Sequence, residues 1–200
     1  MRSKETASKD RPYHHGDLRA ALIQAAVQEV ERSGPQAVSL KALARALGVS
    51  QPAPFRHFAD RDALLSAVAV EGFRAFTRAL EEAEGAPNTT ALASMANAYV
   101  RFGREHSGLY RLMFGSRLLA DAPPDSELQQ AALRSFRLLE NQVALSSHGP
   151  ARRKSLGTWA ALHGLVLLDH ERLLAGALAE NVPIESLVDD VVKAAGGHGN

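Results

Sequence analysis

Residues 39–58 read SLKALARALGVSQPAPFRHF and hold two short amphipathic helical patterns separated by a turn. Apolar residues recur in the first pattern at i, i+3, i+4 and i+7: Leu40, Leu43, Ala44 and Leu47. Ser39 can cap this helix, Gly48 supplies the residue that ends it, and Ser50 can cap a second helix directly afterwards. Two short helices joined by so sharp a turn predict a helix-turn-helix unit, whose second helix enters the major groove of DNA.

The second helix of this unit, expected from Ser50 to His57, carries side chains suited to reading bases. Gln51 can pair bidentately with an adenine edge and Arg56 with guanine, while Pro52 and Ala53 offer apolar contact to a thymine methyl group. Gln51 and Arg56 can also be plain solvated side chains, and this alternative stays open. Lys41, on the first helix, is expected beside the DNA backbone rather than at a base.

Pro54 disturbs the second helix. It is the fourth residue after Ser50, so it lacks the N–H that would form the first i→i−4 hydrogen bond, and its ring crowds the Ser50 carbonyl. We therefore expect a helix whose first turn is loosened or 3₁₀-like.

The rest of the chain has helical periodicity almost throughout, without a convincing alternation of apolar and polar residues. Residues 1–12 look like a flexible arm. Further helices are predicted over about 17–33, 61–84, 90–106, 109–114, 125–146 and 150–179, with a last one after Pro183. The predicted fold is all-α, with an N-terminal three-helix DNA-binding domain over residues 1–62 and a helical C-terminal domain over residues 63–200.

Composition excludes several classes of protein. The 200 residues contain no cysteine, which rules out disulfides and thiolate metal sites, and no run of about 18 apolar residues that could span a membrane. The polar N-terminus does not look like a secretory signal, so we expect a cytoplasmic protein with no membrane partner. Residues 1–62 contain 10 Lys/Arg and 7 Asp/Glu, a balance of +3, whereas residues 63–200 contain 13 and 15. A basic head on a mildly acidic body suits binding to an anionic polymer.

Catalytic motifs are missing from the sequence. It has no nucleophile elbow, no phosphate-binding loop, no His-Glu metal motif and no carboxylate pair at a diagnostic spacing. We therefore expect a protein that is not an enzyme and that needs no metal or cofactor.

The helix predicted after Pro150 is apolar almost all round, so it must be buried on two sides. One stripe holds Trp159, His163, Val166 and His170, and we expect this stripe to face the interior. The opposite stripe is rich in small residues, which allow another helix to approach closely. We expect it to meet a second copy of the chain in a four-helix interface formed by Gly157, Ala161, Gly164 and Leu168 together with Leu187 and Val191 of the last helix.

Aromatic and methionine residues of the C-terminal region allow two interpretations. They could line a pocket for a small, mainly apolar ligand, or they could be ordinary core: Tyr99, Phe102, Met113, Phe114, Phe136, Trp159 and His163. His163 in an apolar helix can equally be a hydrogen-bonded core group. The sequence leaves both interpretations open.

Several of these segments resemble one known family. Residues 40–50, LKALARALGVS, followed by Phe55-Arg-His-Phe58 and Asp60-Arg-Asp-Ala-Leu-Leu65, resemble the DNA-binding domain of the TetR family. Tyr13-His-His-Gly-Asp-Leu18 and Trp159-Ala-Ala-Leu-His-Gly164 resemble the branch of that family with a "WHG" C-terminal domain. Phe55 stands where the family usually has tyrosine, so a hydroxyl-to-phosphate bond is lost while the ring contact remains.

The resemblance implies a homodimeric transcription regulator, typically a repressor, that binds a near-palindromic double-stranded DNA operator. It places Ser39, His57 and Arg61 at phosphates, which fix register rather than sequence. It also implies a small hydrophobic effector that binds the C-terminal domain and releases the DNA. Two alternatives are a regulator or activator that needs no ligand and answers to a protein partner, and an enzyme built on the same fold.

Overall fold

A computed structural model describes residues 15–83, 90–146, 150–175 and 182–196. Within these ranges the chain forms α-helices and short 3₁₀ helices and no strand, which confirms the all-α prediction. The arm predicted over residues 1–12 lies outside the described ranges.

The described α-helices follow the predicted order with boundaries that shift by a few residues. They are α1 His15–Ser33, α2 Leu40–Ala46, α3 Arg61–Ala83, α4 Ala91–Glu105, α5 Ser107–Gly115, α6 Glu127–Ser146, α7 Ala151–His170 and α8 Ile184–Gly196. Three 3₁₀ helices cover Pro35–Ala37, Pro54–Arg56 and Leu173–Ala175.

The helix predicted to reach about residue 179 ends much earlier, at His170. Arg172 adopts a left-handed backbone with φ 58°, which cannot continue a right-handed helix, and the 3₁₀ helix Leu173–Ala175 follows. No glycine or proline marks this end in the sequence, so the prediction had no local signal for it.

Polar side chains set the start of several helices. The Ser39 hydroxyl accepts a hydrogen bond from the Ala42 N–H at 3.4 Å, as predicted, and Thr90 does the same for α4. The Asp60 carboxylate accepts from the Ala63 N–H at 2.8 Å and so caps α3. Gly48 ends α2 with φ 68°, the left-handed conformation expected of it.

Helix α3 is the centre of the fold because it packs against α1, α4, α5 and α6. Its apolar face is fully enclosed, with Leu64, Val68, Phe73, Phe76 and Leu80 each no more than 3% exposed. Helices α7 and α8 pack against each other and against α4. The predicted boundary between residues 62 and 63 falls in the first turn of α3, so this helix continues from one predicted domain into the other.

The N-terminal helix is also docked directly on the body, at the corner between α4 and α5. The Glu31 carboxylate accepts hydrogen bonds from the Gly108 N–H at 3.1 Å and from His106 Nδ1 at 3.0 Å. The approach needs glycine, because a Cβ at Gly108 would lie 2.3 Å from the Val30 carbonyl oxygen. The orientation of α1 is thereby tied to α5 as well as to α3.

Candidate DNA-binding face and ligand cavity

The expected recognition helix is a 3₁₀ path rather than an α-helix with a loosened first turn. Successive i→i+3 hydrogen bonds of 3.0–3.2 Å are donated along it by the N–H groups of Ala53, Phe55, Arg56 and His57. Pro52 and Pro54 have no N–H, so the Ser50 carbonyl accepts from Ala53 instead of from position 54. The 3₁₀ helix Pro54–Arg56 begins directly after Ala53, and Ser50 is therefore not its cap.

This segment is held by its apolar side chains and turns most of its polar ones outward. Pro54 and Phe58 are buried, and the Arg19 guanidinium lies 5.4 Å from the centre of the Phe58 ring. The exposed residues are Ser50, Gln51, Pro52, Phe55 and Arg56, whereas Ala53 and His57 are half-buried. Gln51 and Arg56 thus lie where DNA could reach them, and their base contacts remain predictions.

The segment that forms the DNA-binding unit has only positive side-chain charge. Between Ser33 and Ala59 the chain contains three basic residues and no acidic one, and all three are exposed: Lys41, Arg45 and Arg56. Ser39 is exposed beside them, although its hydroxyl already caps α2. A positively charged segment suits contact with phosphates, which supply the salt-dependent part of DNA affinity.

Arg61 has a role within the protein that the sequence did not reveal. Its Nε and Nη2 donate to the carbonyl oxygens of Val38 and Pro35 at 3.1 and 2.5 Å. These bonds fasten the first residue of α3 to the turn before α2. Arg61 therefore positions the DNA-binding unit, and its contact with a phosphate remains a prediction from the resemblance.

A cavity of about 410 Å³ lies among α3, α4, α6 and α7, within the range of about 300–1,000 Å³ usual for ligand sites. Four of the seven predicted pocket residues line it: Tyr99, Phe114, Phe136 and Trp159. Helix α3 contributes Phe73, Phe76 and Leu80. The rings meet edge to face, with centroids 5.2 Å apart for Phe73 and Phe114 and 6.4 Å apart for Phe136 and Trp159.

The other three predicted pocket residues are not part of the cavity wall. Phe102 is buried against Phe76, with ring centroids 5.1 Å apart. Met113 is buried beside Gly72, where a Cβ would come within 2.7 Å of its sulfur. His163 stands behind the wall, stacked on Trp159 at 5.6 Å.

His163 ends a chain of hydrogen bonds that starts at the cavity. The Tyr99 and Tyr110 hydroxyls are 3.0 Å apart, and the Tyr110 hydroxyl is 2.6 Å from His163 Nδ1. Burial raises the pKa of both phenols well above the usual value. Burial, and then the nearby His170, lower the pKa of His163 below 6.5, so all three groups are neutral at pH 7.

The small-residue stripe of α7 is left uncovered within the protomer. Gly157, Ala161 and Leu168 are exposed and Gly164 is half-buried, and a Cβ added at either glycine would meet no atom within 4 Å. A groove of about 430 Å³ between α7 and α8 is lined by Gly157, Ala161 and Val191, among others. Leu187, on α8, is half-buried. The opposite stripe faces the interior as expected, with Val166 fully buried and His170 Nε2 donating to the Gly103 carbonyl at 2.8 Å.

Two features of the site were missed from the sequence. Arg152 lines the cavity, and its i, i+7 spacing from Trp159 could have indicated it. The contact of Glu31 with His106 joins residues 75 positions apart and had no local signal. In the described ranges, no group of three or more histidine and acidic side chains is placed to hold a metal ion, and no helix is long and apolar enough to cross a membrane.

Two family models match this chain, one in its N-terminal part and one in its C-terminal part. Residues 22–68 match the family described as bacterial regulatory proteins of the tetR family, and residues 92–194 match the one described as the tetracyclin repressor-like C-terminal domain. The chain is 28% identical over 151 residues to the uncharacterized HTH-type transcriptional regulator YobS of Bacillus subtilis, covering 74% of this chain and 76% of that protein.

Solved structures share the whole architecture. A protein of unknown function from Rhodococcus sp. RHA1 superimposes with a TM-score of 0.76 at 36% identity, over 93% of this chain and 97% of that one. The TetR family transcriptional regulator PfmR from Thermus thermophilus does so with a TM-score of 0.60 at 17% identity, over 90% and 99%, which shows likeness of fold. The helix-turn-helix and the C-terminal helices each match their part of one family, and the chain is therefore a DNA-binding transcriptional regulator of the TetR family.

Proposed function

We propose that the protein is a repressor that binds a near-palindromic operator as a homodimer and leaves it when a small apolar ligand fills the cavity. One observation carries the proposal: α3 belongs to both sites. It begins at Arg61, which is fastened to the DNA-binding unit, and Phe73, Phe76 and Leu80 further along it line the cavity.

This continuity supports release by a rigid-body movement. Packed interiors do not deform gradually, so a ligand that needs more room shifts α3 as a unit and carries the DNA-binding face with it. Release then requires only that the ligand prefers the shifted form. Coupling of this kind between two sites is typically about 1–3 kcal/mol, or roughly 5- to 150-fold in DNA affinity.

The uncovered stripe of α7 supports the dimer. Gly157 and Ala161 leave room for a helix, and the groove they share with Val191 is almost wholly apolar. A second copy placed there by a two-fold axis would cover the same surface on both protomers. Two DNA-binding faces about 34–36 Å apart would then reach successive major grooves on one side of the duplex.

A regulator that answers only to a protein partner is the alternative. A body without internal space would favour it, whereas the aromatic cavity favours a small ligand. The proposal gives the protein no catalytic step.

Selection of DNA tests the first half of the proposal. Purified protein should retain related, near-palindromic duplexes from a random pool at physiological salt. Gln51→Ala should weaken binding to the selected duplex by about 1–3 kcal/mol and relax preference at one base position in each half-site. Gln28→Ala changes an exposed glutamine on α1 and is the matched control. Retention of random and selected DNA to the same extent would contradict the proposal.

Trp159 tests the second half. It is the only tryptophan and it lines the cavity, so its emission reports occupancy directly. Compounds that release the selected duplex should change this emission over the same concentration range. Release by compounds that leave the emission of Trp159 untouched would move the ligand site elsewhere.

A further inference from the structure

The cavity has one charged residue in its wall. Of the described side chains that line it, only Arg152 carries a charge, and no acidic side chain does. Arg152 lies in the first turn of α7, and its side chain is 63% exposed. The positive charge therefore stands at the solvent side of an otherwise neutral, mainly apolar space.

The Arg152 guanidinium is held in place but keeps donors to spare. Its Cζ lies 5.0 Å from the centre of the Phe136 ring, and its Nη1 bonds the two Glu140 carboxylate oxygens at 3.2 and 3.3 Å. A guanidinium has five N–H donors, and these described contacts use those of Nη1. The edge formed by Nη2 and Nε can bind a second acid, in the planar geometry that arginine favours for carboxylates.

Three polar groups in the wall of the cavity already have protein partners. The Tyr99 hydroxyl bonds Tyr110, the Ser135 hydroxyl donates to the Ala132 carbonyl at 2.8 Å, and the Gln129 side-chain oxygen accepts from the Asp125 N–H at 3.1 Å. A polar group placed deep in the cavity would compete with these bonds, whereas an apolar one would meet aromatic rings. The wall thus favours a ligand with its polarity at one end.

We infer that the ligand is a monoanionic amphiphile, with an apolar body among the rings of the cavity and a single acidic group on Arg152 at its mouth. The inference rests on the proposed function and specifies the chemistry of its ligand. The Arg152–Glu140 pair occupies only Nη1, so it can persist while a second acid binds the Nη2–Nε edge.

Two dyes that differ by one charge test the inference. 8-Anilinonaphthalene-1-sulfonate and N-phenyl-1-naphthylamine share an aromatic body, and only the first carries a sulfonate. Energy transfer from Trp159 is strongest for dye bound near the cavity, because transfer falls steeply with distance. We expect the anionic dye to bind more tightly than the neutral one, and salt to weaken the anionic dye alone.

Variants of two neighbouring arginines test whether the charge of Arg152 binds the anionic dye. Arg152→Gln should lower affinity for the anionic dye about tenfold or more and leave the neutral dye within about twofold, because it removes a charged hydrogen bond. Arg152→Lys should restore part of the loss. Arg153→Gln, which changes an exposed arginine outside the cavity wall, should leave both dyes unchanged.

The outcomes distinguish failure of this inference from failure of the proposed function. Equal binding of both dyes next to Trp159, without an effect of salt or of Arg152→Gln, would overturn the inference and leave the cavity as a site for a neutral ligand. If neither dye receives energy from Trp159, the cavity takes no such ligand and the ligand-released repressor fails as well. The comparison of dyes on the wild-type protein decides this even if Arg152→Gln does not fold.

Discussion

Replacing Gly108 by alanine should separate the DNA-binding unit from the body at one defined point. A Cβ there would lie 2.3 Å from the Val30 carbonyl oxygen and 2.8 Å from the Glu31 Cα. Both atoms belong to the backbone of α1, so no side chain can turn away to make room. Helix α1 or α5 must move by about an ångström to reach an ordinary van der Waals distance.

Three contributions determine how far Gly108→Ala lowers the free energy of unfolding. Overpacking of this kind typically costs about 1–3 kcal/mol. Loss of the hydrogen bond from the Gly108 N–H to the Glu31 carboxylate adds about 1.5–3 kcal/mol. Alanine returns about 1 kcal/mol because it is the better helix former. The free energy of unfolding should therefore fall by about 1.5–5 kcal/mol, which for a chain of this size lowers Tm by roughly 3–20 °C.

Gly115→Ala is the matched control because it lies on the same helix and its added Cβ would meet no atom within 4 Å. It should leave stability unchanged or raise it by up to about 1 kcal/mol, because alanine is the better helix former. Urea unfolding of both variants at one fixed protein concentration compares them, since the proposed dimerisation would make stability depend on concentration. Equal stability of the two variants would show that α1 and α5 are not in close contact at Gly108, which would contradict this prediction.

Three further predictions concern pH, assembly and DNA. Burial lowers the pKa of His163 in the folded chain, so as the pH falls the unfolded chain takes up this proton first. The free energy of unfolding should therefore fall as pH drops below about 6.5. Urea unfolding at several pH values should give a shallower loss for His163→Gln. Gly157→Leu adds a side chain at a position where a Cβ would meet no atom of its own protomer, and it should yield folded monomers in sedimentation, with Gly115→Leu as control. A dimeric Gly157→Leu would place the interface elsewhere. Phe55→Tyr adds a hydroxyl to an exposed ring on the DNA-binding face. It should tighten binding to a selected duplex about fivefold through one new hydrogen bond to a phosphate. Unchanged affinity would mean that this ring does not lie beside the DNA backbone.

Helix order and most helix ends followed from local sequence because their causes are local. Ser39 caps α2 through a bond to a residue three positions away, and Gly48 ends it through its own backbone angle. The sequence predicted the backbone of the recognition segment only in part. Pro54 indicated one disturbed turn, whereas the i→i+3 bonds continue to His57, since Pro52 and Pro54 together remove alternate donors.

The cavity shows where periodicity stops being informative. Helical spacing indicates which face of a helix is apolar, but not whether that face meets space or another side chain. Trp159 and Phe102 look alike by spacing, yet one lines the cavity and the other packs on Phe76. That difference depends on how several helices are arranged, and no single helix encodes it.

The two prolines of the recognition segment also bear on the thermodynamics of binding. Each ring fixes its own φ and restricts the residue before it, so the free chain has few backbone states here to lose on DNA. A segment already in one shape binds with a small entropic penalty, and a modest change in heat capacity is expected because little folding accompanies contact. The same stiffness limits adaptation. If Gln51 and Arg56 contact bases as predicted, an operator with a slightly different groove must itself deform to fit them, since the segment between them has little freedom to follow it.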